Sequence, residues 1–414
     1  MINLDFILEN NFTNFAALSC SKELKRVNNF EKKRLMKVYL DNAATTPMAV
    51  EVIEEMTKTM KDHFGNPSST HAFGREAKGV LEMARRKIAQ LINAEPKEII
   101  FTSGGTEADN MAIACAINDH AVTRIISTRT EHHAVGHCLE GNLNVTVDYV
   151  NMSLSGQVDL NHLEELLQKP MKTLVTLMHA NNEIATLLDV ESVRDLCKKY
   201  AALFHSDTVQ TMGHYVMDVH DFGADFLTCS AHKFHGPKGV GFLYVNKALK
   251  ISPIIHGGAQ ERGMRGGTEN ITGIVGLAKA LELANTDIAV HQAHVQGLKS
   301  YMIEALQARI PGVNFHGEID PEKSLYTVLN VCFPSFENKS MLLFLLDLDG
   351  IACSGGSACT SGASTGSHVL RGIGADTDRP NARFSFSRYT TQEEIDYVLD
   401  KVEKIVVGAL VANG

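Results

Sequence analysis

The sequence predicts an α/β protein: a largely parallel sheet covered by helices on both faces, followed by a second, smaller α+β unit. Two patterns carry this expectation. Short apolar runs of four to six residues alternate with helical patterns between residues 50 and 245, which is the arrangement of successive βαβ units. After about Thr268 the texture changes to two long helical patterns followed by isolated strands. At about 150 residues per domain, the 414 residues allow two or three domains.

In chain order, Val50–Lys61 reads as an amphipathic helix and Arg75–Ile92 as a second, with Ala77, Val80, Leu81, Ala84 and Ile88 on one face. Glu98–Thr102 is a short strand, broken by Ser103-Gly104-Gly105 before a helix over Thr106–Ile117. Arg124–Ser127, Val145–Val150 and Thr173–Met178 are further strand-like runs, with helices at Leu160–Gln168 and Glu191–Tyr200. Leu203–Ser206, Phe226–Cys229 and Val240–Val245 complete the first set. Helices then follow near Gly273–Ala284 and Ala289–Arg309. Strands at Thr327–Phe333 and Ala382–Ser387 flank a helix at Ser340–Leu346, and a last helix runs over Gln392–Leu410. Residues 354–367 form a Gly/Ser/Ala/Thr loop containing Cys359; structureless loops of this length are uncommon unless functional or disordered.

Residues 1–36 differ in texture from the rest. Ile7-Leu8 and Phe15-Ala16-Ala17-Leu18 are apolar islands among Asn, Glu and Lys, too short for a secretory signal. Asp5, Glu9, Glu23 and Glu31 speak against a transit peptide. The expectation is a dispensable extension, with the confident pattern beginning at Val38-Tyr39-Leu40 just after Met36; a docking segment is the alternative.

Composition excludes several classes. Hydrophobic residues make up 44% and charged residues 21%, ordinary for a globular protein. The net charge of −9 argues against binding nucleic acid or an anionic membrane surface, and no apolar run approaches the ~20 residues of a membrane span. Eight Cys without a C-x-x-C pair exclude a disulfide scaffold and the common structural zinc modules. Free thiols fit a reducing, cytoplasmic setting.

Four local features carry chemistry. The first is Ile99–Glu107, where a strand enters a Gly pair and a helix opens at Thr106. Backbone N–H groups at such a turn favour an anion, although many strand–Gly–helix turns bind nothing. Neither a Walker pattern nor G-x-G-x-x-G is present. The second is Cys229-Ser230-Ala231-His232-Lys233, directly after a strand. Ligands of open α/β sheets bind beyond the carboxyl ends of strands, and a lysine amine there can trap a carbonyl; a solvated surface lysine is the plain alternative. The third is Asp207 at the end of Phe204-His205-Ser206. A buried acid needs a cationic partner, unless it simply caps the next turn of the chain. The fourth is Cys359, in a loop where core packing does not explain a thiol. Cys353 and His368 are its nearest candidate co-ligands, but C-x5-C-x8-H matches no common zinc spacing. No metal site is expected, and a mobile nucleophile is the better reading. An amine, an acid, a phosphate cradle and a stacking group, for which His132 is the candidate, together suggest pyridoxal 5′-phosphate.

These segments resemble the cysteine desulfurases of the NifS/IscS group. The resemblance runs from Val38 to about Val407. It is carried by Tyr39–Pro47, Phe64-Gly65-Asn66-Pro67-Ser68-Ser69, Thr130-Glu131-His132, His179–Glu183, Ser230–Lys233, Glu261–Thr268 and the Cys359 motif. It implies the fold-type I architecture: a large cofactor-binding domain over 49–288 with a mostly parallel seven-stranded sheet, and a smaller α+β domain from 37–48 and 289–414. It further implies a role for each matching residue. Lys233 would hold the cofactor covalently and shuttle protons, with His132 stacked on the ring. Asp207 would pair with the pyridine nitrogen, and Asn182 and Gln210 with the phenolic oxygen. Gly105, Thr106, Ser230 and His232 would bind the phosphate, with Thr268 reaching it from the partner of a homodimer. Arg383 would clamp the substrate carboxylate, with Asn42 in the loop closing over it. Cys359 would take sulfur from L-cysteine as a persulfide, releasing alanine, and pass it to an iron–sulfur scaffold protein or another acceptor.

Selenocysteine lyase, another enzyme of the same fold, or an inactive partner of the sulfur-transfer machinery are the competing readings. The sequence departs from the family at Ser364-Thr365-Gly366-Ser367, where Glu-Pro-Ser is usual, at Ser206, and at Ala185 in place of a usual Gly.

Overall fold

The computed structural model describes residues 36–141, 144–336, 339–355 and 366–411. The extension up to residue 35, Cys359 and most of its loop lie outside these segments. The strands are β1 (Val38–Tyr39), β2 (Ile99–Thr102), β3 (Arg124–Ser127), β4 (Thr146–Tyr149), β5 (Thr173–Thr176), β6 (Leu203–Asp207), β7 (Phe226–Ser230), β8 (Gly241–Val245), β9 (Asn314–His316), β10 (Val328–Cys332), β11 (Ile351–Ala352) and β12 (Asn381–Ser385).

A seven-stranded sheet has the order β2-β8-β7-β6-β5-β3-β4. The run from β7 to β4 is parallel throughout, and β8 alone opposes its neighbours β7 and β2. The reversal has a simple cause. Only residues 231–240 link β7 to β8, whereas a parallel return needs a crossover of about a dozen residues or more. β2, β3, β5, β7 and β8 are buried along their whole length, as expected of strands covered on both faces.

Helix starts follow side-chain caps that periodicity alone does not reveal. Asn270 accepts from the Gly273 N–H, so that helix begins at Ile271 rather than Gly273. Asp189 caps the helix over Val190–Lys199 through the Ser192 N–H. Each such cap contributes about 1 kcal/mol. Short elements not anticipated from the sequence are the helices His133–Gly141, Val219–Phe222 and His368–Gly372 and the strands β9 and β11. They are too brief to establish a period.

Two large apolar clusters divide the chain. One contains Leu81, Ile126, Val175, Leu227, Phe242 and Leu281. The other contains Leu40, Val295, Met302, Val331, Phe384 and Val402. The change falls between the helices Ile271–Thr286 and Ile288–Arg309. The second cluster surrounds the antiparallel sheet β12-β10-β9 and the short parallel pair β1-β11, so residues 38–40 pack with the C-terminal part of the chain.

Ala185 has φ +66°. There the Cβ of an L-residue crowds the backbone at about 1–2 kcal/mol, which explains why glycine is the easier choice at that turn.

A buried ion pair ties the edge strand to the glycine-rich segment beyond β8. Arg85 Nη1 and Nη2 each lie 2.7 Å from a Glu261 carboxylate oxygen, and both side chains are 2% exposed. Glu261 also accepts from the Phe101 N–H at 3.0 Å, while Glu261 and Arg262 both adopt left-handed backbone conformations. Arg85→Met leaves a buried carboxylate unpaired and is expected to cost about 3–5 kcal/mol in urea unfolding. The double variant with Glu261→Gln should recover a large part of that loss.

Candidate active site

The carboxyl ends of the strands converge on one cavity of about 250 Å³, below the size of drug-sized ligand clefts, roughly 300–1,000 Å³, and suited to a single-ring ligand. It is lined by Gly105, Thr106, His132, Asn182, Asp207, Gln210, Ser230, His232, Lys233 and Arg383, together with Ala43, Ala44, Asp109, Met178 and Val209. Of the candidate site residues among the described positions, all but Asn42 and Thr268 meet here.

Each arrives from its own element. Asp207 ends β6, and Lys233 closes the 3₁₀ turn Ala231–Lys233 directly after β7. β6 and β7 are parallel neighbours with Asp207 opposite Thr228, so both groups leave the sheet at the same edge. Gly104 has φ +152° and stands as N-cap of the helix Gly105–Asn118 without a side-chain cap. This opening carries Gly105 and Thr106, and Ser230 lies directly beside it, with His232 in the same cavity lining. Arg383 comes from β12 in the other cluster, with its Nη1 donating to the Asn182 carbonyl at 2.9 Å.

The loop after β1 lies over the site. Lys233 Nζ donates to the carbonyls of Ala43 and Ala44 at 2.6 and 2.9 Å, and Gln210 Nε2 donates to Ala43 at 3.1 Å. Asn42, expected in the loop closing over the substrate, stands beside the cavity. Its side-chain amide donates to the carbonyls of Ser385 and Tyr39 and does not line the cavity; its neighbours Ala43 and Ala44 do. Thr268 lines a separate cavity with Ser103, Gly239, Arg265 and Glu269. Asp207 Oδ1 accepts from the Val209 N–H at 2.9 Å, so it caps a local turn while lining the site.

The electrostatics are unusual for side chains so near one another. Burial pushes Asp207 up to about 7, with Asp109 raising it further. Asp109 is likewise pushed up to about 7 by burial. Its Oδ1 has no hydrogen-bond partner and lies 3.4 Å from His205 Nε2. Sequence reading missed Asp109, although its place one turn into the helix that opens the cradle was an available signal. Burial, the Lys233 charge and the imidazoles of His133, His368 and His137 lower His132 to about 4. Its neutral ring accepts from the Ala134 N–H through Nδ1 at 3.2 Å. His232 is also lowered to about 4, by burial and then by Lys233 and Lys238. Among the described residues no group of three or more His, Cys, Asp or Glu side chains is arranged to hold a metal.

The model of the class-V aminotransferases matches residues 38–398. The chain belongs to that family. A cysteine desulfurase IscS of Dictyoglomus turgidum is 44% identical over 377 residues, spanning 89% of this chain and 94% of the relative. This aminotransferase-family chain is also similar to a solved NifS-like protein, with TM-score 0.82, 37% identity, and coverage of 90% of this chain and all of that one. SspA in complex with cysteine matches at TM-score 0.73 and 32% identity, covering 86% of this chain and 100% of its own.

The cofactor of this family member is pyridoxal 5′-phosphate, and the cavity fits it. An uncapped helix start with Thr106, Ser230 and His232 suits a phosphate. A buried carboxylate at Asp207 suits a protonated ring nitrogen, and Lys233 supplies an amine for the aldehyde.

The buried carboxylates make a test possible on the cofactor-free protein. A carboxyl raised to about 7 when folded, but near 3.8 when unfolded, holds its proton only in the folded state between those values. Its stabilising contribution is therefore full at low pH and is lost as pH rises toward 7 and beyond. Asp109→Asn cannot ionise. Its stability relative to the parent, from urea unfolding, should improve by a few kcal/mol between pH 4.5 and pH 8.

Proposed function

We propose that this chain is a cysteine desulfurase that converts L-cysteine to L-alanine and carries the removed sulfur as a persulfide on Cys359. The observation that carries the residue assignment is the convergence of Lys233, Asp207, His132 and Arg383 on one cavity from two separate apolar clusters.

Pyridoxal phosphate, when bound, withdraws electrons from the substrate's α-carbon, which loosens the bond between the β-carbon and sulfur. Gly105, Thr106, Ser230 and His232 would hold its phosphate and Asn182 and Gln210 its phenolic oxygen, with Thr268 supplied by a second subunit. Asp207 keeps a negative charge against the ring nitrogen, because a cation beside it reverses the effect of burial on its pKa. Lys233 is the proton carrier at the α-carbon. His132, held neutral, would stack on the ring; with Nδ1 accepting from the Ala134 N–H, its Nε2 carries the proton it would exchange during the reaction. Arg383 fixes the amino acid by its carboxylate.

The Cys359 thiolate forms an S–S bond to the substrate's sulfur as that sulfur's bond to the β-carbon breaks; the electron pair of the broken bond stays with carbon, which takes up a proton, and alanine leaves. An iron–sulfur scaffold protein or a similar acceptor then collects the sulfur. The protein works as a cytoplasmic homodimer. The separation of Thr268 from the single-chain cavity supports the pairing, as do the exposed rings of Phe64 and Phe73, 74% and 54% accessible and 5.2 Å apart. No helix among the described residues is long and apolar enough to cross a membrane. We place the boundary between two domains at residue 288, where the apolar clusters change over.

Borohydride reduction of the holoenzyme followed by peptide mapping should attach the cofactor to Lys233, and Lys233→Ala should yield colourless protein. Cys359→Ala should stay yellow and lose at least a hundredfold of sulfide release from cysteine, the scale on which removing a nucleophile acts. After cysteine is added, mass spectrometry should find one extra sulfur on the peptide containing Cys359. Unimpaired sulfide release from that variant would favour a lyase, which needs no such thiol.

A further inference from the structure

A guanidinium offers two edges on which a carboxylate is held by parallel hydrogen bonds: Nε with Nη2, and Nη1 with Nη2. Nη2 belongs to both. In Arg383 that nitrogen is already committed. It donates to Asp41 Oδ1 at 2.8 Å and to Ser354 Oγ at 3.3 Å. Ser354 Oγ in turn donates to the same Asp41 oxygen at 2.7 Å. Nη1 is turned toward the Asn182 carbonyl, while Nε is buried without a partner. The Arg383 side chain is 1% exposed and that of Asp41 is 21%. The backbone on each side is fixed independently of these contacts. Arg383 and Ser354 exchange main-chain hydrogen bonds, and Asp41 bridges Ser385.

Asp41 Oδ1 and Ser354 Oγ sit side by side on Nη2, and Nη2 is common to both forks, so a second carboxylate on either fork meets the nitrogen that already holds Asp41. To be held by two bonds it must displace Asp41 from Nη2 or share that nitrogen with it. If it shares, Asp41 keeps its negative charge on the nitrogen that the newcomer also uses, and like charges oppose each other there. Either route makes the Asp41 charge a competitor of the ligand.

We propose that Asp41 is a resident carboxylate on the Arg383 fork, displaced or opposed by the carboxylate of the incoming α-amino acid, and that it thereby sets the enzyme's affinity for that substrate class. The proposal rests on the reading of Arg383 as the carboxylate clamp. Asp41 is a positioning and specificity residue in this scheme and touches no reacting atom. Its effect is confined to ligands bearing a carboxylate, since an amine without one leaves the Arg383–Asp41 pair intact.

The test uses holoenzyme and calorimetric titration with L-alanine, the thiol-free amino acid that cannot turn over, beside cysteamine, which lacks the carboxylate. Asp41→Asn is expected to bind alanine about three- to tenfold more tightly, the range of roughly one exposed to half-buried charge pair, and to leave cysteamine affinity unchanged. Ser354→Ala, which removes no charge, should alter alanine affinity less than twofold. Equal or weaker alanine binding by Asp41→Asn would overturn the proposal, as would an equal tightening for cysteamine or a gain in Ser354→Ala as large as in Asp41→Asn. Should Asp41→Asn fail to fold, Asp41→Glu decides: it retains the charge, so a tenfold tightening there contradicts the competition. Arg383→Ala separates the two levels. If it binds alanine as the parent does, the clamp itself is wrong; if it loses alanine while Asp41→Asn gains nothing, the clamp stands and the competition fails.

Discussion

The shared direction of the parallel strands is the constraint on which the active site depends. Parallel pairing sends every carboxyl end to the same edge of the sheet, and here β3, β5, β6 and β7 all obey it. Asp207 is the last residue of β6, and His132, Asn182 and Lys233 follow the ends of β3, β5 and β7. β2 runs in the same sense because β8 reverses twice over, against β7 and against β2. The helix start at Gly105 therefore opens toward the same cavity. No local preference of the chain places these groups together; the pairing of strands does.

That edge is also dry, and burial decides how its charges behave. Asp109 and Asp207 are driven toward their neutral forms, and the imidazoles of His132, His205 and His232 are lowered to about 4. All of these shifts share one largest cause, the loss of water around the charged form. A cationic ring nitrogen is the ligand that restores charge to such carboxylates, and a phosphate suits a helix start with no side-chain cap. The chemistry of the cofactor and the preference of the cavity thus agree.

The second apolar cluster supplies what the sheet cannot. Arg383 sits in the middle of β12, and its backbone is paired with Asn330 on β10 and with Ser354. It reaches the cavity because its Nη1 meets the Asn182 carbonyl beyond the end of β5. The loop after β1 crosses between the two parts, with Thr46 accepting from the His235 N–H and Thr46 Oγ donating to the His232 carbonyl. The shape of the cavity therefore depends on how the two clusters meet, and Asp41 stands where they do.

The sequence alone determined the alternation of strands and helices and the residues that occupy strand ends, because apolar periodicity and short motifs are written locally. Within that local grammar, the strand over Arg124–Ser127 matches the structure residue for residue. Helix starts moved by one to three residues where Asn270, Asp189 or His71 caps them. The tertiary structure alone decided the antiparallel turn of β8, the pairing of β1 with β11, the inward place of Asp109, the diversion of the Asn42 amide to Ser385, and the engagement of Arg383 by Asp41. These depend on contacts between residues up to 343 positions apart, and a long-range contact leaves no spacing in the chain from which it could be read.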